Sequence, residues 1–368
     1  MANTKIVVGL PNNTSYNVRI GASLLDSVGK ASREDFDSQK ALILTDKTVG
    51  ELYLNRVKAS LEEADYRVTE IAIPSGEDSK SLACVGEIWE AMAQTGFGRD
   101  SVVFALGGGV VGDVAGFVAS TYMRGIEVIQ LPTTLLAMVD SSVGGKTGVN
   151  LKAGKNLVGT FKQPRAVYAS TDTLATLSVD DWACGCAEIA KSAVIESDEF
   201  FFWLNEVAPL LVARDEESVI EAITRSVVFK ANVVALDTTE SKGVRECLNY
   251  GHTLGHAIEA LAGFGTYSHG AAVAEGMRFA ARLSAAILGT SIEVVHAQDE
   301  LLDALGLPEL AWAEKPQRLL EVMLKDKKVR KETLRFVLLE DVGVWRVVEV
   351  ENAQVLEHLE AWAVSKAH

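Results

Sequence analysis

The stretch ALGGGVVGDVAG, residues 105–116, places three glycines in the spacing G-x-G-x-x-G, at Gly107, Gly109 and Gly112. The apolar run before it predicts a buried strand, and the apolar spacing after it predicts a helix. Glycine lets the backbone approach a ligand closely, and a helix N-terminus offers N–H groups and a positive dipole to a pyrophosphate. The stretch therefore predicts a dinucleotide site. Tight packing of the strand against the helix is the alternative interpretation.

Strand-like and helix-like segments alternate on both sides of this turn. Strands are predicted at residues 40–46, 67–73, 101–106 and 126–132, and helices at residues 49–64, 81–96 and 107–123. That order implies a parallel sheet covered by helices. The glycine motif follows the third or fourth predicted strand and not the first. An acidic residue that could hold a ribose would therefore come from upstream, at Asp46.

The second half of the chain changes character near the segment TLATLSVDDW, residues 173–182. From about residue 178 the apolar spacing is helical, up to a late pair of short strands at residues 334–339 and 345–350. We therefore expect an α/β N-terminal Rossmann-like nucleotide-binding domain over residues 1–178. A mostly α-helical C-terminal domain would follow over residues 179–368.

Bulk properties exclude several classes of protein. The formal net charge of −15 argues against nucleic acid or an anionic membrane as a partner. The N-terminal segment has a short apolar run broken by Pro11, which fits neither a signal peptide nor a membrane span, so we expect a cytoplasmic protein. The cysteines lack paired Cys-x-x-Cys spacing, which favours buried thiols over disulfides or a zinc knot; they are Cys84, Cys184, Cys186 and Cys247.

Basic residues concentrate in glycine-rich or motif-like segments of this acidic chain. Such a distribution focuses positive potential on a small, multiply charged anion. The alternative is a set of solvated surface side chains, and this is strongest for Lys152. The residues are Arg124, Lys146, Lys152, Lys155, Lys191, Lys230 and Arg245.

A second glycine-rich segment, residues 141–159, contains GGKT and superficially resembles the end of a P-loop. The full motif requires a glycine at the position of Asp140, so a phosphate-hydrolysing NTPase is disfavoured. We expect Lys146, Lys155 and Asn156 to be loop residues that grip a substrate.

Two histidines share one face of a predicted helix in NYGHTLGHAIEA, residues 249–260, because His252 and His256 are one turn apart. Such a pair is only weak evidence for a metal without a third ligand, since buried histidines are often core residues. His269 at the start of another predicted helix and Glu188, three residues before Lys191, are candidates. A carboxylate and a lysine on an apolar helix are costly to bury unless they are paired or bind a metal.

Several long motifs in a fixed order then resemble one family, the 3-dehydroquinate synthases among the sugar-phosphate cyclases. The resemblance spans nearly the whole chain. It is carried by GGGVVGD, YMRG, LPTTLLAMVDSSVGGKTGVN, GKNLVGTF, CAEIAK, RECLNYGHTLGHAIE, SHGAAVAEGM and DKKV. Ala271 departs from the glutamate that often follows HG in the family.

The resemblance implies an enzyme of the shikimate pathway, a phosphate-eliminating carbon–oxygen lyase that depends on NAD and a divalent metal. Its substrate would be the anionic sugar acid 3-deoxy-arabino-heptulosonate 7-phosphate and its product 3-dehydroquinate. The steps would be transient oxidation by NAD, phosphate elimination, reduction and intramolecular aldol closure. NAD would be regenerated in each turnover. Family members are homodimers, which predicts that Arg124 reaches the phosphate site of the neighbouring subunit.

The resemblance also assigns residues to roles, with metal and substrate bound mainly by the second domain. Zn²⁺, or Co²⁺ in its place, would be bound by Glu188, His252 and His269. NAD would contact Asp46, Glu77, Lys80, Gly109, Asp113, Thr133, Thr134 and Thr176, to which the glycine-rich segments add Gly107, Gly108, Gly112 and Lys155. Substrate would be bound or processed by Arg124, Asp140, Lys146, Asn156, Lys191, Lys230, Arg245, Asn249, His256 and Lys327 of DKK.

Three other functions fit part of this pattern. The nearest is a sibling cyclase that uses sedoheptulose 7-phosphate or glucose 6-phosphate and needs no site for a substrate carboxylate. A metal-dependent polyol dehydrogenase would release NADH stoichiometrically. A non-catalytic dinucleotide sensor would bind NAD without turnover.

Overall fold

The computed structural model describes residues 3–263, 266–326 and 333–366, apart from the side chains of Asn12 and Asp326. The predicted substrate residue Lys327 lies outside these ranges. The strands are β1 (Thr4–Leu10), β2 (Thr14–Gly21), β3 (Lys40–Asp46), β4 (Arg67–Ile73), β5 (Val102–Gly107), β6 (Glu127–Pro132), β7 (Lys146–Leu151), β8 (Gly154–Phe161), β9 (Ala166–Ser170), β10 (Thr333–Asp341) and β11 (Val344–Glu351).

The α-helices are α1 (Leu24–Asp35), α2 (Lys47–Glu63), α3 (Leu82–Gln94), α4 (Gly109–Thr121), α5 (Val179–Glu196), α6 (Asp198–Val212), α7 (Glu216–Leu236), α8 (His252–Ala262), α9 (His269–Leu288), α10 (Ile292–Ala304), α11 (Pro316–Asp326) and α12 (Asn352–Ser365). None of the described helices is long and apolar enough to cross a membrane.

Residue contacts divide the chain into two compact units. Unit 1 comprises Met1–Ser178 and Ile223–Thr239, and unit 2 comprises Val179–Ala222 and Glu240–His368. The sequence placed a single boundary after residue 178 and assigned residues 223–239 to the second domain. The unit changes inside α7, at Ile223. The apolar spacing continues through this helix without a break, so the sequence carries no sign of the change.

Unit 1 is built on a seven-stranded sheet in the order β1-β2-β9-β6-β5-β3-β4. The pairs β2–β9, β9–β6, β6–β5, β5–β3 and β3–β4 are parallel, and only β1 is antiparallel to its neighbour in this sheet. Alternate residues of the central strands face opposite sides: Leu42 and Leu44 pack with α3 and α4, whereas Ala41 and Ile43 pack with α1 and α2. Helices therefore cover both faces, which confirms the Rossmann-like α/β fold.

The predicted strands and helices around the glycine turn all form, at the positions expected from the apolar spacing. The strand before the turn is β5, however, and not the third or fourth of the chain, because the hairpin of β1 and β2 was not predicted. Strand β9, which pairs with both β2 and β6, was missed as well.

The second glycine-rich segment is a β-hairpin, so the prediction that Lys146, Lys155 and Asn156 lie in a loop was wrong. Lys146 begins β7, and Lys155 and Asn156 lie in β8. Gly148 pairs with Gly159 across the hairpin, and a Cβ on Gly159 would lie 2.2 Å from the carbonyl oxygen of Thr147. The glycines permit close approach of two strands here, whereas by propensity they indicated a loop.

Unit 2 is mostly helical, as predicted, with β10 and β11 forming a separate two-stranded antiparallel sheet. Helix α9 packs against α5, α8, α10 and β10, so it occupies the centre of this unit. The N-termini of α8 and α9 and the middle of α5 provide the side chains described next.

Candidate functional site

Three potential metal ligands converge in unit 2. Glu188 lies in the middle of α5, and His252 and His269 are the first residues of α8 and α9. The Nε2 atoms of His252 and His269 lie 3.5 and 3.4 Å from Oε1 of Glu188, and the three donor atoms are all within 4.8 Å of one another. The structure thus brings together the ligand set that the family resemblance implies.

Both histidines have a partner at the ring nitrogen remote from Glu188. Nδ1 of His252 lies 3.1 Å from the carbonyl oxygen of Tyr250, and Nδ1 of His269 lies 3.1 Å from Oε2 of Glu259. A carbonyl can only accept a hydrogen bond, so the proton of neutral His252 is assigned to Nδ1, and the lone pair of Nε2 is left for a metal. Such partners are typical of metal-binding histidines.

The three side chains have strongly perturbed pKa values. Burial acts to raise the pKa of Glu188, but the Lys191 ammonium and the two histidines outweigh it and hold that pKa well below its ordinary value. Burial, assisted by Lys191, lowers the pKa of His252 to about 3. Burial also acts to lower the pKa of His269, but Glu188 and Glu259 raise it to about 10. Near neutral pH the cluster therefore holds an ionised carboxylate and a neutral His252.

The donor set fits a catalytic divalent metal. Glu188 is 2% exposed, and within the described parts of the chain neither of its carboxylate oxygens has a hydrogen bond of ordinary geometry, although the Lys191 ammonium contacts Oε2. Buried carboxylate oxygens normally receive hydrogen bonds or bind a metal. Two imidazoles and one carboxylate are a ligand set that zinc uses in catalytic sites, where a fourth position stays open to substrate.

Glycines allow the three helices to approach closely beside these ligands. A Cβ on Gly276 of α9 would lie 1.8 Å from the carbonyl oxygen of Gly251, which precedes α8. A Cβ on Gly270 would lie 2.4 Å from Cα of Cys184 in α5. Side chains at these two glycines would force the helices apart, so close packing fixes the spacing of Glu188, His252 and His269.

Other predicted residues of unit 2 lie on or next to the elements that carry the potential metal ligands. Lys191 is buried one turn after Glu188, and Arg245, 2% exposed, lies with Asn249 in a 3₁₀ helix (Val244–Asn249) before α8. The exposed ring of His256 packs edge-on against His252, with centroids 5.3 Å apart. Buried cations require nearby anions, so Lys191 and Arg245 are not the solvated surface side chains of the alternative interpretation.

The nucleotide cradle predicted from the glycine motif lies in unit 1. Gly107 ends β5, and Gly108 is the N-cap residue of α4 and has no side chain with which to cap the helix. A Cβ on Gly109 would lie 3.2 Å from Oγ of Ser141, and one on Gly112 would lie 2.9 Å from Oε1 of Gln130. The N–H groups at the start of α4 are therefore available to an anion.

Charged residues predicted to contact NAD are paired near α4. Lys80 is buried and bonds Oδ2 of Asp113 in α4 at 2.5 Å. Burial raises the pKa of Asp113, and the Lys80 ammonium opposes that shift. Glu77 accepts a hydrogen bond from Asn150 of β7 at 2.7 Å. The structure thus places three of the predicted residues on adjoining segments of unit 1.

The remaining NAD candidates lie at strand ends or in short turns of unit 1. Asp46 ends β3 and caps α2 by accepting hydrogen bonds from the backbone N–H groups of Thr48 and Val49. Thr133 and Thr134 follow β6, and the N–H of Thr133 donates to the carbonyl of Gly107. Thr176 bonds the hydroxyl of Tyr53, and Lys155 is partly buried in β8.

The predicted substrate residues of unit 1 include one ion pair and three exposed side chains. Nζ of Lys230 in α7 lies 2.6 Å from both the carbonyl oxygen and Oδ1 of Asp140, which lies in a π-helical turn (Ala137–Ser141). Such turns are frequent at functional sites. The exposed side chains are those of Lys146, Asn156 and Arg124, and the last two residues have left-handed backbone, with φ of +56° and +68°.

Sequence reasoning missed Glu259 and Asn150. Glu259 is seven residues after His252 on α8, so helical spacing alone could have placed it on the same face as His252 and His256. Asn150 gave no such signal, because its contact with Glu77 depends on a hairpin that was predicted as a loop.

Comparison with known proteins identifies the family. The N-terminal model of 3-dehydroquinate synthase matches residues 70–184, and the C-terminal model matches residues 185–329. The 3-dehydroquinate synthase of Citrifermentans bemidjiense is 45% identical over 352 residues, which cover 96% of this chain and 97% of that protein. The chain belongs to the 3-dehydroquinate synthase family. The resemblance drawn from its motifs is thereby confirmed.

Solved structures of related cyclases share the fold of this family member. A 2-deoxy-scyllo-inosose synthase complexed with carbaglucose-6-phosphate, NAD⁺ and Co²⁺ has a TM-score of 0.88 and 27% identity, covering 97% of this chain and 99% of that one. A 2-epi-5-epi-valiolone synthase from Streptomyces hygroscopicus, with NAD⁺ and Zn²⁺ bound, has a TM-score of 0.86 at the same identity and coverage.

Proposed function

We propose that the protein is an NAD- and divalent-metal-dependent 3-dehydroquinate synthase. It would convert 3-deoxy-arabino-heptulosonate 7-phosphate into 3-dehydroquinate and phosphate, as a carbon–oxygen lyase of the shikimate pathway in the cytoplasm. The observation that carries the proposal is the buried Glu188 carboxylate, with Nε2 of His252 and of His269 at 3.5 and 3.4 Å, in a member of this family.

Glu188, His252 and His269 would hold zinc, or cobalt in its place. The bound metal would supply a Lewis acid that polarises hydroxyl groups of the substrate. Lys191 contacts Glu188 from the next turn of α5 and keeps the carboxylate ionised. Tyr250 and Glu259 hold the two imidazole rings so that Nε2 faces the metal position.

Unit 1 would bind NAD, with the pyrophosphate at the N-terminus of α4 beside Gly107, Gly108 and Gly109. NAD would supply a hydride acceptor that is reduced and reoxidised within one turnover, so that no NADH accumulates. Bound NAD⁺ in both related cyclases supports this assignment. Further contacts would come from Asp46, Glu77, Lys80, Gly112, Asp113, Thr133, Thr134, Lys155 and Thr176.

Cationic and polar residues would bind the substrate and its two anionic groups. Arg245, Asn249 and Lys230 would recognise the carboxylate, which sedoheptulose 7-phosphate lacks. His256 would transfer a proton or contact the phosphate, since its exposed ring packs against that of His252. The same role in binding or processing substrate is proposed for Lys146, Asn156, Asp140, Lys191 and Lys327.

A homodimer belongs to the same proposal. Arg124 is exposed on a turn where Met123, Arg124 and Gly125 all have positive φ. It would reach the phosphate site of the neighbouring subunit. Mixing inactive Arg124→Ala with an inactive His252→Ala variant should restore part of the activity if the subunits exchange, because one site in the mixed dimer is intact.

The deciding experiment is phosphate release by zinc-loaded protein with catalytic NAD. Substrates are 3-deoxy-arabino-heptulosonate 7-phosphate and, in parallel, sedoheptulose 7-phosphate, with EDTA-treated enzyme and His252→Ala as controls. We expect metal-dependent release from the first substrate alone, without NADH accumulation. Release from sedoheptulose 7-phosphate would instead indicate a sibling cyclase, and stoichiometric NADH would indicate a dehydrogenase.

A further inference from the structure

A carboxylate outside the ligand set contacts one of the metal-binding histidines. Oε2 of Glu259 in α8 lies 3.1 Å from Nδ1 of His269, the first residue of α9. The Glu259 side chain is 12% exposed and that of His269 is 31% exposed, so this contact is partly shielded from water. A charge-assisted hydrogen bond is stronger than one between neutral groups.

The position of Glu259 shows that it is not one of the potential metal ligands. Nε2 of His269 faces Glu188 at 3.4 Å, whereas Glu259 bonds the ring at Nδ1, on the opposite side of the imidazole. The group of side chains able to hold a metal within the described ranges comprises Glu188, His252 and His269 and does not include Glu259. Glu259 therefore acts on the metal position through the ring of His269.

The two histidines are oriented by chemically different groups. His252 is held by the backbone carbonyl of Tyr250, which no side-chain substitution removes. His269 is held by a side chain, which is seven residues from His252 on α8 and therefore on the same face of that helix. Helix α8 thus provides one ligand and the group that orients another.

We propose that Glu259 is a positioning residue that sets the metal affinity of the site. Its carboxylate accepts a hydrogen bond from Nδ1–H of His269, which fixes the tautomer with Nε2 directed at the metal and makes that nitrogen a better ligand. Groups of this kind typically change metal affinity 10- to 100-fold. The inference rests on the proposed metal centre.

The test measures equilibrium zinc binding without turnover, by competition with a chromophoric chelator. The proteins are wild type, Glu259→Gln, Glu259→Ala, Glu300→Gln and His252→Ala. We expect roughly 10-fold weaker binding for Glu259→Gln, whose amide oxygen still accepts a hydrogen bond, and roughly 100-fold weaker binding for Glu259→Ala. Glu300→Gln, an exposed position on α10, should bind like the wild type.

A second readout follows the geometry of the site. The visible spectrum of the cobalt-loaded protein should shift in Glu259→Ala, because the imidazole of His269 loses its partner at Nδ1 and its orientation toward the metal changes. The spectrum should stay unchanged in Glu300→Gln. Circular dichroism of the metal-free proteins shows whether each variant folds. If Glu259→Ala does not fold, the nearly isosteric Glu259→Gln decides.

Two different failures can be distinguished. Wild-type affinity and an unchanged cobalt spectrum in the folded Glu259 variants would overturn the role of Glu259 and leave the metal centre standing. Equal zinc binding by wild type and His252→Ala would overturn the metal centre itself, and the proposed function with it.

Discussion

Gly276 of α9 packs so closely against Gly251 that a Cβ on Gly276 would lie 1.8 Å from the Gly251 carbonyl oxygen. The two helices that begin with His252 and His269 meet at this contact. Their separation is therefore fixed by two residues without side chains, one at the N-cap of α8 and one within α9.

We predict that Gly276→Ala lowers the free energy of unfolding by about 3 kcal/mol or more, since the methyl group can be accommodated only if the backbone moves. Urea unfolding of the metal-free protein measures the change. Gly86→Ala in α3 is the matched control, because its Cβ meets nothing within 4 Å. There the better helix propensity of alanine should leave stability unchanged or raise it by up to about 1 kcal/mol. Equal effects of the two substitutions would contradict the argument.

Glu188 and Lys191 form a buried ion pair whose side chains are 2% and 3% exposed. We predict that Glu188→Gln destabilises the protein in EDTA by about 3 kcal/mol, because removing one partner leaves a buried charge poorly compensated. Adding Lys191→Met should recover much of the loss, since both charges are then absent. Neither variant should bind zinc at the site. If Glu188→Gln unfolded at the same midpoint urea concentration as the wild type, this account would be refuted.

Asp172 links three elements of unit 1 and gives a prediction on pH. Its carboxylate accepts hydrogen bonds from the backbone N–H of Ser23 and from Ser170 and pairs with Arg56 at 2.9 Å. Burial acts to raise the pKa of Asp172, but these partners outweigh it and hold that pKa below the ordinary value. A lowered folded-state pKa contributes stability that is present above the unfolded-state pKa of about 4 and is lost as pH falls through the folded-state value.

Asp172→Asn should therefore be less stable than the wild type by about 1 kcal/mol at pH 7, a figure reduced for its 30% exposure. The difference should shrink as pH falls below about 4. Thermal unfolding across this range measures it. Asp37→Asn, which removes an exposed pair with Arg33, is the control and should change stability by less than about 0.5 kcal/mol. A constant difference between wild type and Asp172→Asn at every pH would be inconsistent with the prediction.

Ala271 leaves the N-terminal cap of α9 half complete. Oγ of Ser268 accepts a hydrogen bond from the N–H of Ala271, three residues on, where a glutamate could return a bond to the N–H of Ser268. We predict that Ala271→Glu raises the stability of the metal-free protein by about 0.5 to 1 kcal/mol. In a Ser268→Ala background this gain should fall, because the two caps act together. An equal gain in both backgrounds would show that the added charge alone is responsible.

Much of unit 1 could be predicted because its apolar periodicity follows its structure. The run from Lys40 to Asp46 is buried on both faces and reads as a central strand, and the glycine turn before α4 has a recognisable spacing. The hairpin of β7 and β8 could not be predicted in the same way. Its glycines serve contacts between strands, and local propensity does not record a contact eleven residues away.

The metal ligands were predicted from motifs, yet their convergence depends on packing that no local pattern describes. His269 and Glu188 are 81 residues apart in the chain and meet because Gly270 lets α9 lie against α5. Glu259 was missed although its helical spacing was visible, because a glutamate on a helix is usually a solvated surface residue.

The discontinuity of unit 1 has a consequence for recombination of the gene. The contacts of Lys230 with Asp140 join the stretch Ile223–Thr239 to a segment more than eighty residues earlier in the chain. A crossover that exchanged only residues 1–178 between homologues would pair each Asp140 with a lysine from the other parent. Viable chimaeras should therefore exchange residues 1–178 and 223–239 together.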